Sequence, residues 1–147
     1  MKNVQKIIDL LGGDAFRHVK LECGGFMPLS IERIGTFGPN NLPMFSVCHY
    51  GEQNGDLMAD PEITFVVSRT LKGWLWTPVS FRNDYAGIYQ EGERGAMWFD
   101  ESGKAWTRPR LLKDLKSFAS QWDRNLKAQG FVDAALKLAN SIAIFEG

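Results

Sequence analysis

Cysteine is scarce in this 147-residue chain: Cys23 and Cys48 are the only two. They form no CxxC pair, and a disulfide framework in so short a chain usually needs more of them. The expectation is two reduced thiols in a cytoplasmic protein. Net charge is absent as well. Seventeen basic side chains face seventeen acidic ones, so no global field draws the molecule to nucleic acid or to a membrane. No apolar run approaches the roughly 20 residues that span a bilayer. Met1-Lys2-Asn3-Val4 leads into a short amphipathic run with Asp9 inside it, which does not read as a signal peptide. Repeats, low-complexity tracts and linkers are missing too. Residues 1–147 are therefore expected to form one domain.

What is present is apolar and aromatic. Hydrophobic residues make up 44% of the chain, with five Trp and ten Phe, enough for a packed core. Val4, Ile7, Ile8 and Leu11 fall on one helical face, and Gly12-Gly13 should stop that helix. Arg17 to Glu22 alternates, with Val19 and Leu21 on one side and His18 on the wet side, so it reads as a strand. Gly24-Gly25 turns the chain into a second strand, Pro28 to Ile34. Thr36 to Pro43 has loop composition. Met44 to Tyr50, Glu62 to Arg69 and Trp74 to Phe81 follow as strands. Pro78 makes the last an edge strand or a bulged one. Ala86 to Glu91 and Ala96 to Asp100 supply one or two more.

From Arg108 the period changes. Leu111, Leu115, Phe118, Ala119, Trp122 and Leu126 form the stripe of a long helix. Thr107 can cap it, Pro109 suits its first turn and Gly130 ends it. A last helix is expected over about Val132 to Ala139, with Ile142 to Phe145 as an apolar tail docking on the body. Strands gathered together, with helices before and after, imply an α+β fold. Its sheet is an antiparallel meander of about five to seven strands, with the helices packed on one face.

The most chemically loaded stretch runs from His49 to Glu62. It carries four carboxylates, a histidine and the Asn54-Gly55 turn signal, between two apolar strands. Register can be tested on paper. Val47 should share the core face with Ile63, Phe65 and Val67, which requires cross-strand pairs whose numbers sum to an even value. A two-residue Asn54-Gly55 loop pairs Gln53 with Asp56, an odd sum, and would flip every side chain. Either the loop has an odd length, such as Asn54-Gly55-Asp56, or a bulge intervenes, for which Asp60-Pro61 is the natural place. On the even register His49 faces inward. Tyr50, Glu52, Asp60 and Glu62 face outward, and Cys48 lies opposite Val47. The histidine and the acids then lie on opposite faces, so no metal site is expected, and no cofactor is implied.

Asn83-Asp84-Tyr85 has turn chemistry and lies near the hairpin if strand order allows. Trp74 and Trp76 share a strand face, as core residues or as a stacking platform. On the long helix, Lys113, Lys116, Arg124 and Lys127 fall opposite the apolar stripe, with Ser117 and Ser120 among them and Asp114 and Asp123 toward the flanks. A solvated helix face gives the same pattern; a functional one would contact phosphates or an acidic protein.

The run His49-Tyr50-x-Glu52-Gln53-Asn54-Gly55-Asp56-Leu57-Met58-x-Asp60-Pro61-Glu62 is followed by Asn83-Asp84-Tyr85-x-Gly87. Gln121-Trp122, Asn125-Leu126 and Gln129-Gly130-Phe131 come next. Across residues 44–131 this pattern resembles a domain-of-unknown-function family whose members occur in bacterial plasmids, integrative elements and phages. Gly51 departs from the bulkier residue expected there, which would loosen the hairpin. The resemblance implies a mobile-element origin, with a role in element maintenance or evasion of host defence, and carries no activity across.

The reading is a small non-catalytic protein-binding module. Its candidate binding residues are Tyr50, Glu52, Asn54, Asp56, Asp60, Glu62, Asn83, Asp84 and Tyr85. One alternative is a carboxylate-based enzyme, with or without a metal, using the Glu52–Glu62 hairpin. Another is nucleic-acid binding through the basic face of the 108–127 helix. The hairpin holds four acids and no Lys or Arg, whereas Arg108 to Lys127 holds six basic residues against Asp114 and Asp123. Two such opposite surfaces favour a protein partner, or self-association into a homo-oligomer, over DNA at physiological salt.

Overall fold

The structure, a computed structural model, describes residues 1–146, with side chains through Ile142. Helix α1 (Lys2–Leu10) buries Val4, Ile7 and Ile8. Gly12 and Gly13 end it at φ values of 127° and 57°, left-handed backbone that glycine adopts without a Cβ clash. Six strands follow: β1 (His18–Leu21), β2 (Leu29–Phe37), β3 (Leu42–Gln53), β4 (Asp56–Thr70), β5 (Gly73–Asn83) and β6 (Ile88–Gln90). They form one antiparallel sheet in chain order, a plain meander. A separate two-stranded sheet, β7 (Met97–Phe99) and β8 (Ala105–Thr107), precedes helices α2 (Pro109–Ala128) and α3 (Phe131–Glu146). The class is α+β.

The three helices cover one sheet face. Period-two alternation puts Val19, Leu21, Leu29, Ile31, Phe45, Val47, Ile63, Phe65 and Val67 against them in one cluster with Ile7, Trp122, Leu126 and Phe131. Phe65, Phe131, Ile7, Ile31 and Ile63 are among the largest fully buried side chains. Each such burial contributes about 1.5–3 kcal/mol. Trp76 joins this core and its Nε1–H donates to Gln5 Oε1 at 2.9 Å. Trp74, on the same strand face, remains 41% exposed beneath the Arg69 guanidinium.

The register agrees with the parity argument. Val47 pairs with Ile63, and Gln53 pairs with Asp56 across a two-residue Asn54-Gly55 turn. Asn54 and Gly55 have φ values of 54° and 85°, as that turn requires. The two are reconciled between Cys48 and Tyr50, where the register shifts and Asp60-Pro61 forms the bulge opposite His49. A second shift falls where Phe65 pairs with Pro78 and Thr64 with Ser80, leaving Val79 as the extra residue. β5 is thus bulged beside Pro78. The carbonyl of Val79 instead accepts the Ala96 N–H at 2.8 Å, tying the small sheet to the large one.

Several boundaries differ from the sequence expectation. Thr36 and Phe37 belong to β2, and Leu42 and Pro43 to β3, so the loop between them shrinks to residues 38–41. Cross-strand pairing overrides the loop composition of its flanks. Thr107 ends β8 and caps nothing; Arg108 is the N-cap of α2 and makes no side-chain capping bond. The last helix does not stop near Ala139 but runs to Glu146. Ile142 is 44% exposed and so is not docked. The side chains of Ala143 to Phe145, the rest of the expected tail, lie outside the described residues. Asp123 is no flank residue. It is 5% exposed and accepts the backbone N–H groups of Asn3 and Val4, each at 3.1 Å. A carboxylate on α2 therefore caps α1, which has no capping side chain of its own.

Candidate functional site

The acidic hairpin is two paired strands rather than a loose tip, because β3 and β4 run to within two residues of each other. His49 lies on its core face, 5.5 Å from the Trp122 ring and 5.7 Å from Phe131. Its Nδ1–H donates toward the carbonyls of Met27 at 3.2 Å and Pro28 at 3.3 Å. Carbonyls only accept, so the proton must sit on Nδ1. Burial lowers the imidazole's proton affinity below its ordinary value, with those two carbonyls opposing. His49 thus anchors the β1–β2 loop beneath the hairpin.

Asn83, Asp84 and Tyr85 meet the hairpin from β5 and clamp it. Asn83 Nδ2 donates to Asp60 Oδ1 at 2.9 Å, and Asn83 Oδ1 accepts the Ala86 N–H at 3.0 Å. Asp84 Oδ2 accepts the Ala59 N–H at 2.8 Å, and Ala59 O accepts the Asp84 N–H at 2.9 Å. Arg82 Nε donates to Asp84 Oδ1 at 2.7 Å. That guanidinium and the Ala59 N–H hold the Asp84 carboxyl below the usual carboxylate range. Tyr85 lies over Gly51, its hydroxyl 3.4 Å from Glu52 O. A Cβ on Gly51 would run into that hydroxyl. The glycine makes room for the Tyr85 hydroxyl.

The four acids have different surroundings. Glu62 accepts a 2.6 Å bond from Ser46 Oγ on the sheet face away from the helices. Its register neighbours there are Cys48 and Arg82. Asp60 is half-buried in the bulge beside Asn83. Glu52, Asn54 and Asp56 are exposed at the hairpin end. Tyr50 is half-buried beside the Cys48 thiol, and burial raises its phenol above the ordinary range. Of the candidate hairpin residues, only Glu52, Asn54 and Asp56 are exposed. Among the described residues, no three His, Cys, Asp or Glu side chains are grouped to hold a metal ion. Cys48 is 1% exposed, and burial followed by the Glu62 charge pushes its thiol up to about 12. It stays protonated at neutral pH, so it is a poor nucleophile.

Beside the hairpin lies a groove of about 510 Å³. Met27, Pro28, Tyr50, Gly51 and Leu57 line it, and Lys20, Glu22 and Glu52 stand on its rim. Lys20 and Glu22 form an ion pair at 3.7 Å. Leu57 is 65% exposed, and Phe26 and Met27 are 47% and 37% exposed. The sequence reading missed Met27, Pro28 and Leu57. Met27 and Pro28 reach the hairpin only because His49 holds their carbonyls, a contact across more than twenty residues.

The basic candidates Lys113, Lys116, Arg124 and Lys127 are all exposed on α2.

The family described as Domain of unknown function (DUF6908) matches residues 2–132. The chain belongs to that family. No significant match exists to a curated protein or to a solved structure. The DUF6908 match takes in α1, both sheets, α2 and the first two residues of α3, so it includes the groove and the clamp. Among the described residues, no helix is long and apolar enough to cross a membrane.

Proposed function

We propose that this DUF6908 chain is a non-catalytic protein-binding module whose contact surface is the groove beside the acidic hairpin. The observation that carries the reading is Leu57, left 65% exposed over a groove of about 510 Å³. Bare apolar side chains with a polar rim are what a partner-binding surface offers. The Lys20–Glu22 pair neutralises itself, so the uncompensated rim charge is that of Glu52, with Asp56 near it at the hairpin turn. The matching partner segment has one large apolar side chain flanked by Lys or Arg. The Asn83–Tyr85 clamp fixes the groove wall in advance, which lowers the ordering cost of binding. The separate environments of the acids and the protonated Cys48 thiol support a non-catalytic role. The family resemblance of the His49–Glu62 run supports a mobile-element origin, and with it a role in element maintenance or host-defence evasion.

A displayed random-peptide library, selected on the native chain and counter-selected on Leu57→Asp, tests the reading. The expected peptides carry an aromatic or aliphatic anchor beside basic residues and bind the variant at least about tenfold more weakly. Failure to enrich any peptide, or equal binding to the variant, would reject it.

A further inference from the structure

We propose that the concavity where α1 meets the C-terminal half of α2 is a phosphate-binding site. It encloses about 490 Å³, and Lys2, Asn3, Ser120, Asp123, Arg124 and Lys127 border it. Lys2, Arg124 and Lys127 are exposed cations. Among the described residues, none of the three lies within ion-pairing distance of a carboxylate. Asp123 is the one acid on the wall, and its oxygens are occupied by the Asn3 and Val4 N–H groups and by Asn3 Nδ2, each at 3.1 Å. The concavity keeps a surplus of two positive charges. The same bonds occupy the N–H groups of Asn3 and Val4, so this is a side-chain site and not a helix-end site.

Arg124 and Lys127 sit three residues apart on one helix, a like-charge spacing that is destabilising without a counter-ion. A solvated helix face relieves it with acids three or four residues away. Here those positions around Arg124 hold Ser120, Gln121, Lys127 and Ala128, and the one acid so spaced from Lys127, Asp123 four residues before it, turns its oxygens to Asn3 and Val4. Instead, Arg124 Nη1 donates to Ser120 Oγ at 3.3 Å and Nη2 donates to Gln121 Oε1 at 2.9 Å. Both acceptors are neutral, so they aim the guanidinium and leave its charge uncompensated. A guanidinium fork, two ammonium groups and a hydroxyl match the oxygens of a phosphoryl group. The phosphoryl group belongs either to a free phosphate compound or to a nucleic-acid strand, with Lys113 and Lys116 continuing the cationic stripe along α2.

Inorganic pyrophosphate titrated by calorimetry at low salt, and a labelled single-stranded oligonucleotide followed by anisotropy, test the site. Arg124→Gln with Lys127→Gln is the probing variant; both positions are exposed, and circular dichroism checks its fold. The expected result is binding of at least one probe, weakened about tenfold or more in the variant. Pyrophosphate binding that survives Lys113→Gln with Lys116→Gln identifies a compact phosphate. Oligonucleotide binding that needs those lysines, and falls steeply with salt, identifies a polymer. No binding of either probe, or equal binding by the native chain and the folded Arg124/Lys127 variant, would overturn the proposal.

Discussion

Asp123 shows how one side chain can change its meaning between sequence and fold. In the sequence it is one of two acids on a basic helix, and nothing local gives it a task. In the structure it is 5% exposed and caps a helix whose first residues lie about 120 positions away. The available clue is indirect: α1 begins without a side-chain cap of its own, and exposed helix ends need partners. Replacing Asp123 with Ala would strand two backbone donors and leave the Asn3 amide only its bond to the carbonyl of residue 123. The expected cost is about 2–4 kcal/mol, more than an ordinary cap loss because the donors stay partly buried. Asp123→Asn should recover part of it, since one acceptor oxygen remains. Urea unfolding of both variants measures this. A loss under about 0.5 kcal/mol for Asp123→Ala would mean the helix end is satisfied by water.

At the scale of elements, the β3–β4 hairpin was legible where strict alternation governs it. Val47 and Ile63 can share a face only on an even register, and an Asn-Gly turn demands an odd one. Either an odd-length loop or a bulge had to reconcile them, and the structure takes the bulge, at Asp60-Pro61. The meander, the helix faces and Gly12-Gly13 were legible for the same reason: each is written in neighbouring residues. The clamp was legible only in part. Asn83 was readable as a turn residue, and it does accept the Ala86 N–H. Its grip on Asp60, and that of Asp84 on Ala59, depend on β5 lying next to β4. The small β7–β8 sheet was half-seen because β8 has three residues, too few to display a period. The Asp84→Ala variant should free the Ala59 N–H. Its amide hydrogen exchange should then speed up by about tenfold or more, while Val47 and Ile63 in the core stay protected. Unchanged exchange at Ala59 would show that strand pairing alone holds the hairpin.

At the scale of the whole molecule, a chain of zero net charge carries two unlike surfaces. The hairpin end presents Glu52 and Asp56 beside bare Leu57, and α2 presents Lys113, Lys116, Arg124 and Lys127. The charge contrast was legible from composition alone. The groove was not, because its walls come from the β1–β2 loop and the β3–β4 hairpin. Asp60, grouped with the exposed acids in the sequence, belongs to the clamp, so changing it would disturb the fold as well as the surface. Leu57, Glu52 and Asp56 are the exposed positions that separate binding from folding. The most direct measurement is quantitative affinity capture from host lysate with three forms of the chain: native, Leu57→Asp with Glu52→Gln, and Lys113→Glu with Lys116→Glu. If the groove is the contact surface, native chain and helix variant recover the same protein, and the groove variant loses at least about nine-tenths of it. Capture that persists in the groove variant and vanishes in the helix variant would contradict this assignment and place the partner surface on α2.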